Sequence, residues 1–305
     1  MHFNHLNAHD SGKLGFIFYT IGDEPKFYYT EYDENLNRFG RRTRINLKPP
    51  YKNYSILASC NGLVFFGLVG FHGRFHNGYI CICNPITGER IVLPQVGDAR
   101  NILTGFGFGY CASTNEYKVV TIRWGTVLGY TLGSYTGWRY VENMDRDIIP
   151  GRKIGEFLNG AIHWVDQKGT IFAFDLADEE FHALPSSPCL LKAGNPPYVA
   201  RLGEFLCAIY ENGVSRDIWI LKNYKNHEDV TWNNEFIRIN AEPITFIRSG
   251  KVLGYRGLGR IVYRCDLKAS SSKVRVKSGM LFQRGVPHRN TLVSLEGLGA
   301  IYRNY

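Results

Sequence analysis

Asn61-Gly62-Leu63-Val64-Phe65-Phe66, a second apolar run at Tyr79-Ile80-Cys81-Ile82-Cys83, the turn Asn84-Pro85-Ile86-Thr87-Gly88 and the close Val92-Leu93-Pro94 together decide the fold. Asn-Gly tolerates positive φ and makes a tight entry into the strand that follows. Asn84-Pro85 with Gly88 fixes a turn between adjacent strands. The same order returns at Asn159-Gly160, Ala161 to Val165, Ile171 to Phe174, the turn Asp175 to Glu179, and Ala183-Leu184-Pro185. A unit that recurs sets the architecture before any single motif does.

Outside these two copies the second strand of the unit fits at Val127 to Leu132, Ile218 to Leu221 and Ile261 to Cys265. With Ile82, Tyr130, Phe174, Trp219 and Tyr263 as markers, the spacing is about 45 residues, the size of one four-stranded propeller blade. A strand around Tyr28 extends the series less regularly. Gly15 to Thr20, Leu63 to Leu68, Tyr117 to Arg123 and Ile171 to Leu176 also read as strands, being short, β-branched or aromatic, and bounded by turn formers. Asn35-Leu36-Asn37, Ser113-Thr114-Asn115 and Glu211-Asn212-Gly213 supply further hairpin turns. The expectation is an all-β chain, a six-bladed β-propeller of antiparallel strands over 14–305, preceded by a segment 1–13. A β-sandwich pair is the alternative. Trp138, Trp164, Trp219 and Trp232 suit packing between blades.

Composition narrows the classes. At 44% hydrophobic and 21% charged, the 305-residue chain is that of a folded globular protein, and no run approaches the roughly 20 apolar residues of a membrane-spanning helix. Residues 1–13 show no basic-then-apolar order of a secretory signal, so the expected compartment is cytoplasm, nucleus or both, without membrane. Seven cysteines, an odd number spread over a long chain, argue for reduced thiols rather than a disulfide framework.

Ser59-Cys60-Asn61-Gly62-Leu63-Val64 resembles the F-box-associated domain of plant F-box proteins. The similarity continues through Asn84 to Glu89 with Leu93-Pro94, Gly105 to Gly109, Tyr117-Lys118-Val119-Val120, Trp138-Arg139, Leu158-Asn159-Gly160-Ala161-Ile162-His163-Trp164, Phe174-Asp175, Ile218-Trp219-Ile220-Leu221 and Trp232. In that family a preceding helical F-box docks on the Skp adaptor of a cullin-based ubiquitin ligase while the associated domain selects the protein substrate. The resemblance implies a substrate-recognition module, with Skp and cullin as partners only where an F-box is present in the full-length form. Phe3-Asn4-His5-Leu6-Asn7 resembles the trailing edge of an F-box, and without that module the chain would sequester its substrate. The residues shared with the family, Asn61, Gly62, Asn84, Pro85, Gly88, Asn159, Gly160, Trp164 and Trp219, read as fold residues.

Patterns that carry chemistry are weak. Gly105-Phe106-Gly107-Phe108-Gly109 lacks the spacing of a phosphate cradle and a following helix, and reads as a strand in a crowded sheet. His72, His76, Cys81 and Cys83 lack the paired elements of a zinc site; the two cysteines read as core residues sharing one strand face. His163 reads as a hydrogen-bonded structural histidine. Asp178-Glu179-Glu180 and Asp145 with Asp147 read as solvated turns. No cofactor, metal or catalytic set is expected, although a propeller enzyme or glycan binder using a central cavity is the alternative of another class.

The charge of +9 sits in one region. Between Arg248 and Asn290 eleven Lys and Arg face a single acid, Asp266, whereas the remainder is nearly balanced. Ring closure would bring Arg256, Arg260, Lys273, Arg275 and Lys277 near Arg38, Arg41, Arg42 and Arg44 of the first blade. These nine residues are the candidate basic face for an acidic protein partner. Nucleic acid is disfavoured, since neither aromatic platforms nor a groove-entering helix is evident.

Overall fold

Side chains on a strand alternate between two faces, and here both faces are apolar. Leu63 and Phe65 enter one core cluster, Val64 and Phe66 another; Ile80 and Ile82 join the first, Cys81 and Cys83 the second. A sheet with two apolar faces cannot be stable alone and stacks between two others. The computed structural model of the chain describes residues 13–20, 26–47, 54–69, 75–96, 105–123, 125–144, 154–166, 168–188, 197–222, 230–233, 237–256, 261–265, 273–276, 282 and 284–299. The segment 1–13, read above as an F-box edge, lies outside these except for Lys13.

Blade 1 holds β1 (Lys13–Tyr19), β2 (Phe27–Asp33), β3 (Arg38–Phe39) and β4 (Thr43–Ile45); blade 2 holds β5 (Tyr54–Cys60), β6 (Leu63–Val69), β7 (Phe75–Cys83) and β8 (Arg90–Val92). Blade 3 is β9 (Gly105–Cys111), β10 (Glu116–Arg123), β11 (Thr126–Thr131) and β12 (Arg139–Asn143); blade 4 is β13 (Glu156–Leu158), β14 (Ala161–Val165), β15 (Ile171–Asp175) and β16 (Phe181–Ala183). Blade 5 comprises β17 (Tyr198–Leu202), β18 (Phe205–Asn212), β19 (Ser215–Lys222), β20 (Thr231–Trp232) and β21 (Ile237–Ile239). Blade 6 comprises β22 (Glu242–Phe246), β23 (Val252–Arg256), β24 (Ile261–Cys265) and β25 (Lys273–Arg275), and β26 (Arg284–Pro287) follows. All pairings within these sheets are antiparallel, and the sheets form a six-bladed propeller.

Closure is visible in the innermost strands. β5 touches β9, β9 touches β13, β13 touches β17, β17 touches β22, β22 touches β26, and β26 returns to β5. β26 supplies the innermost strand of blade 1 by pairing with β1, with Phe18 opposite Gly285 and Phe16 opposite Pro287. The last strand thus completes the first blade. No sequence pattern had marked it.

The core lies in the seams. Each of six apolar clusters fills one gap between neighbouring blades, including the seam where Phe16, Phe18, Tyr32 and Phe39 of blade 1 meet Ile244, Leu253 and Val262 of blade 6. The sequence markers Ile82, Tyr130, Phe174, Trp219 and Tyr263 all fall on the third strand from the axis, as does Tyr28. The unit read from the sequence was therefore out of phase by one strand, because each blade begins one strand before its Asn-Gly pair. The irregular first interval also has a cause: the outer edge of blade 1 is split, with β3 and β4 pairing to opposite ends of β2.

Turn residues behave as their chemistry dictates. Asn37, Asn61, Asn115 and Asn159 have φ between 43° and 59°, the left-handed region that Asn enters most readily among non-glycine residues. The Gly105 to Gly109 run is strand β9, where a side chain at Gly107 would meet Ile162 Cγ2 at 2.5 Å. The glycines let blade 4 approach closely enough to bury Trp164.

The up-down order of each blade sorts its connections onto two rims. One rim, called here the hairpin rim, carries the turns after the first and third strands. The other carries the loops after the second strand and the links between blades.

Candidate partner-binding surfaces

Side chains in and beside the seams tie one blade to the next. Trp164 and Trp219 are buried in the seams on either side of blade 4. Trp138 Nε1 donates to the Pro94 carbonyl at 2.7 Å, and Trp232 Nε1 donates to the Pro185 carbonyl at 2.8 Å. The Leu-Pro close of each repeat copy thus accepts a hydrogen bond from a tryptophan of the next blade, which ties neighbouring blades together.

Blades 3 and 4 are further joined by charge. Lys118 Nζ donates to the Leu176 carbonyl at 2.7 Å and to Glu179 Oε1 at 2.8 Å, while Arg139 pairs with the same carboxylate. Glu179 sits at φ 60°, and its side chain is only 17% exposed. The expectation of a solvated Asp178-Glu179-Glu180 turn is therefore corrected for Glu179, because a lysine in the preceding blade's apolar strand needs a counter-charge. Burial works to raise the Glu179 carboxyl, but the hydrogen bonds and charges of Arg139 and Lys118 outweigh it and hold it below its usual value. Lys118 within Tyr117-Lys118-Val119-Val120 was the available signal.

Residues 288–299 form a strap on the hairpin rim. Ser59 Oγ and His288 Nδ1 are 2.8 Å apart, and Asn84 Nδ2 donates to the carbonyls of Thr291 and Val293 at 3.0 and 2.7 Å. Glu89 accepts from Ser294 Oγ at 2.8 Å and from the Leu295 amide at 2.5 Å, and Leu295 is buried in the seam between blades 2 and 3. Burial pushes His288 down to about 4, so it stays neutral at physiological pH. Asn84 also accepts from the Ile86 amide at 2.8 Å, which fixes the Asn-Pro turn.

Of the groups weighed for chemistry, His163, Cys81 and Cys83 are buried. His163 is fully buried, with Nδ1 2.8 Å from the Glu156 carbonyl oxygen. Cys81 and Cys83 lie in the seam between blades 1 and 2; burial raises Cys60 and Cys81 to about 12 and Cys83 well above its usual value. His72, Asp145 and Asp147 lie outside the described residues, as does the side chain of His76. Among the described residues no three His, Cys, Asp or Glu gather as a metal site would require.

The basic residues are spread along the walls of two adjoining blades. Arg38 starts β3 opposite Asp33, toward the hairpin rim, and Arg44 lies opposite Tyr28 near the other rim. Arg256 ends β23 opposite Ile261, away from the hairpin rim; Lys273 lies opposite Cys265, toward it, and Arg275 lies opposite Tyr263. Arg260 and Lys277 lie outside the described residues. Arg38, Arg41, Arg42 and Arg44 are exposed on the split edge of blade 1. Of these, Arg38 and Arg41 line one cleft with Lys13.

A closed wheel of six antiparallel sheets is a β-propeller. Residues 14–271 match the F-box associated beta propeller domain, and the chain belongs to that family. It is 26% identical over 220 residues to F-box protein At3g07870 of Arabidopsis thaliana, covering 60% of this chain and 50% of that protein. It is 24% identical over 190 residues to F-box/kelch-repeat protein At3g23880 of the same plant, covering 56% and 50%. The chain spans about half the length of the curated relatives it matches. Among solved structures, TolB from Acinetobacter baumannii superposes with a TM-score of 0.54 at 10% identity, covering 90% of this chain and 67% of that one, a likeness of fold alone.

Proposed function

We propose that the chain is the substrate-recognition half of an F-box protein, holding a protein target for transfer of ubiquitin by a cullin-based ligase. The observation that carries this reading is the family match over 14–271 on a wheel whose seams are filled by apolar side chains. Binding then falls to the rims and outer walls, and the rigid seams limit the conformational cost of presenting them. Skp and cullin act through an F-box in the full-length protein, and the propeller contributes the choice of target.

The test is a graft. The chain is fused behind an F-box of established Skp binding and expressed in plant cells, beside the chain without a graft. The reading predicts proteins that both forms capture, but whose level falls, in a proteasome-dependent way, with the graft alone. If no protein is captured, or if captured proteins keep their level with the graft, the reading is wrong.

A further inference from the structure

The face of blade 1 turned toward blade 2 changes character along its length. Ile17, Tyr19 and Phe27 are buried against Tyr54, Ile56 and Phe66 of blade 2, but the same face continues through Tyr29 to Glu31 and Asp33 on β2 and through Gly15 to Lys13 on β1. Apolar filling stops there. Gly15 adds no side chain, and one built on it would meet the His288 carbonyl oxygen and, at 2.6 Å, Tyr29 Oη, so the backbone at His288 and the phenol together occupy the space. Gly40 hydrogen-bonds back to the Glu31 carbonyl at 2.8 Å, which carries Arg41 across the gap between β3 and β4. The result is an open cleft of about 410 Å³.

Charge in this cleft is unevenly committed. Glu31 accepts from Tyr29 Oη at 3.2 Å, and Asp33 accepts from the Leu36 amide at 3.1 Å. Lys13, Arg38 and Arg41 also line it, and among the described residues none of the three forms an ion pair. Leu36, 57% exposed, stands at the edge as an apolar contact. Three cations that form no ion pair outnumber the two carboxylates of the same cleft, and this excess of positive charge beside an aliphatic lip suits a single anionic residue with an apolar neighbour.

We propose that this blade 1 cleft is the docking site for an acidic segment of the protein partner, with a carboxylate or phosphate seated between Arg38, Arg41 and Lys13 and a flanking aliphatic side chain on Leu36. The proposal rests on the recognition reading above and gives it a place and a chemistry. Glu31 and Asp33 add selection, since their carboxylates line the same cleft and disfavour a segment that brings more than one anion.

The test uses the full chain and immobilised peptide mixtures of neutral random sequence, fixed at one position as Glu, phosphoserine, Gln or Ser. Wild type should retain the Glu or the phosphoserine mixture at least tenfold over its neutral counterpart, and the preferred arm identifies which anion is read. The pair R38E/R41E should lose that preference while keeping its thermal midpoint, because both side chains are exposed and unpaired. L36A should weaken retention several-fold without changing the preference for charge. Equal retention of neutral and acidic mixtures, no retention at all, or unchanged preference in R38E/R41E would overturn the proposal. Captures from plant cells separate the two readings. Targets held equally by wild type and R38E/R41E leave recognition standing and remove the cleft, whereas no targets for either remove recognition itself.

Discussion

Substituting Asn84 by aspartate isolates the strap from the turn. The side chain keeps its shape and the Oδ1 acceptor used by the Ile86 amide, so the Asn-Pro turn survives, but the Nδ2 donor to Thr291 and Val293 is gone. Asn84 is fully buried. Each carbonyl left without a donor costs about 1–3 kcal/mol, and a carboxylate oxygen aimed at two carbonyl oxygens adds repulsion, so about 3–5 kcal/mol is expected near neutral pH. The cost should depend on pH in a defined direction. Desolvation and the carbonyl dipoles raise the folded pKa of the introduced carboxyl above its unfolded value of about 3.9. The protonated acid can donate again, so the deficit is smallest below the unfolded pKa and grows as pH rises through the folded one. Urea midpoints at pH 4 and pH 7, with hydrogen exchange at the Leu295 and Leu298 amides, measure both effects. A deficit under about 0.5 kcal/mol at pH 7, or unchanged exchange in the strap, would refute the assignment of Asn84 as the clamp.

Three further outcomes are expected. Glu179→Gln should destabilise by about 2 kcal/mol, because Lys118 and Arg139 lose a charged acceptor. Since that carboxyl is held below its usual value, its contribution is present at neutral pH and is lost as pH falls through the folded value, so the variant's melting temperature should depend less on acid pH. Gly107→Ala should cost about 1–3 kcal/mol by pushing on Ile162 and Trp164, read as a lower denaturant midpoint with altered Trp fluorescence; an unchanged midpoint would mean the seam has slack. Removing residues 284–305 strips β26 from β1 and leaves an open inner edge, so size-exclusion chromatography should show self-association or loss of the folded monomer, and a stable monomer would contradict closure by that strand.

Much of the wheel could be read before any coordinates. Asn61, Asn84 and Asn159 with their following glycines and proline marked the hairpins, and the marker spacing counted blades, because both signals depend on residues near one another in the chain. Trp164 and Trp219 were legible as seam residues because large apolar plates inside strands have few other uses. The phase of the repeat was not legible, since the innermost strands of blades 3, 4 and 5 have unlike sequences: Gly-rich β9, three-residue β13 and mixed β17.

The amino-acid sequence by itself determined strands, turns and blade period, all products of local chain stiffness and of strands apolar on both faces, while its motifs carried the resemblance to the family. Only the tertiary structure decided that Arg284–Pro287 closes blade 1, that Asn84 grips a segment more than 200 residues away, and that Glu179 answers Lys118. It also placed Arg38 and Arg41 in one cleft with Lys13. Those facts depend on which groups meet across a seam, and a seam brings together residues whose separation along the chain carries no energetic signature until the ring has formed.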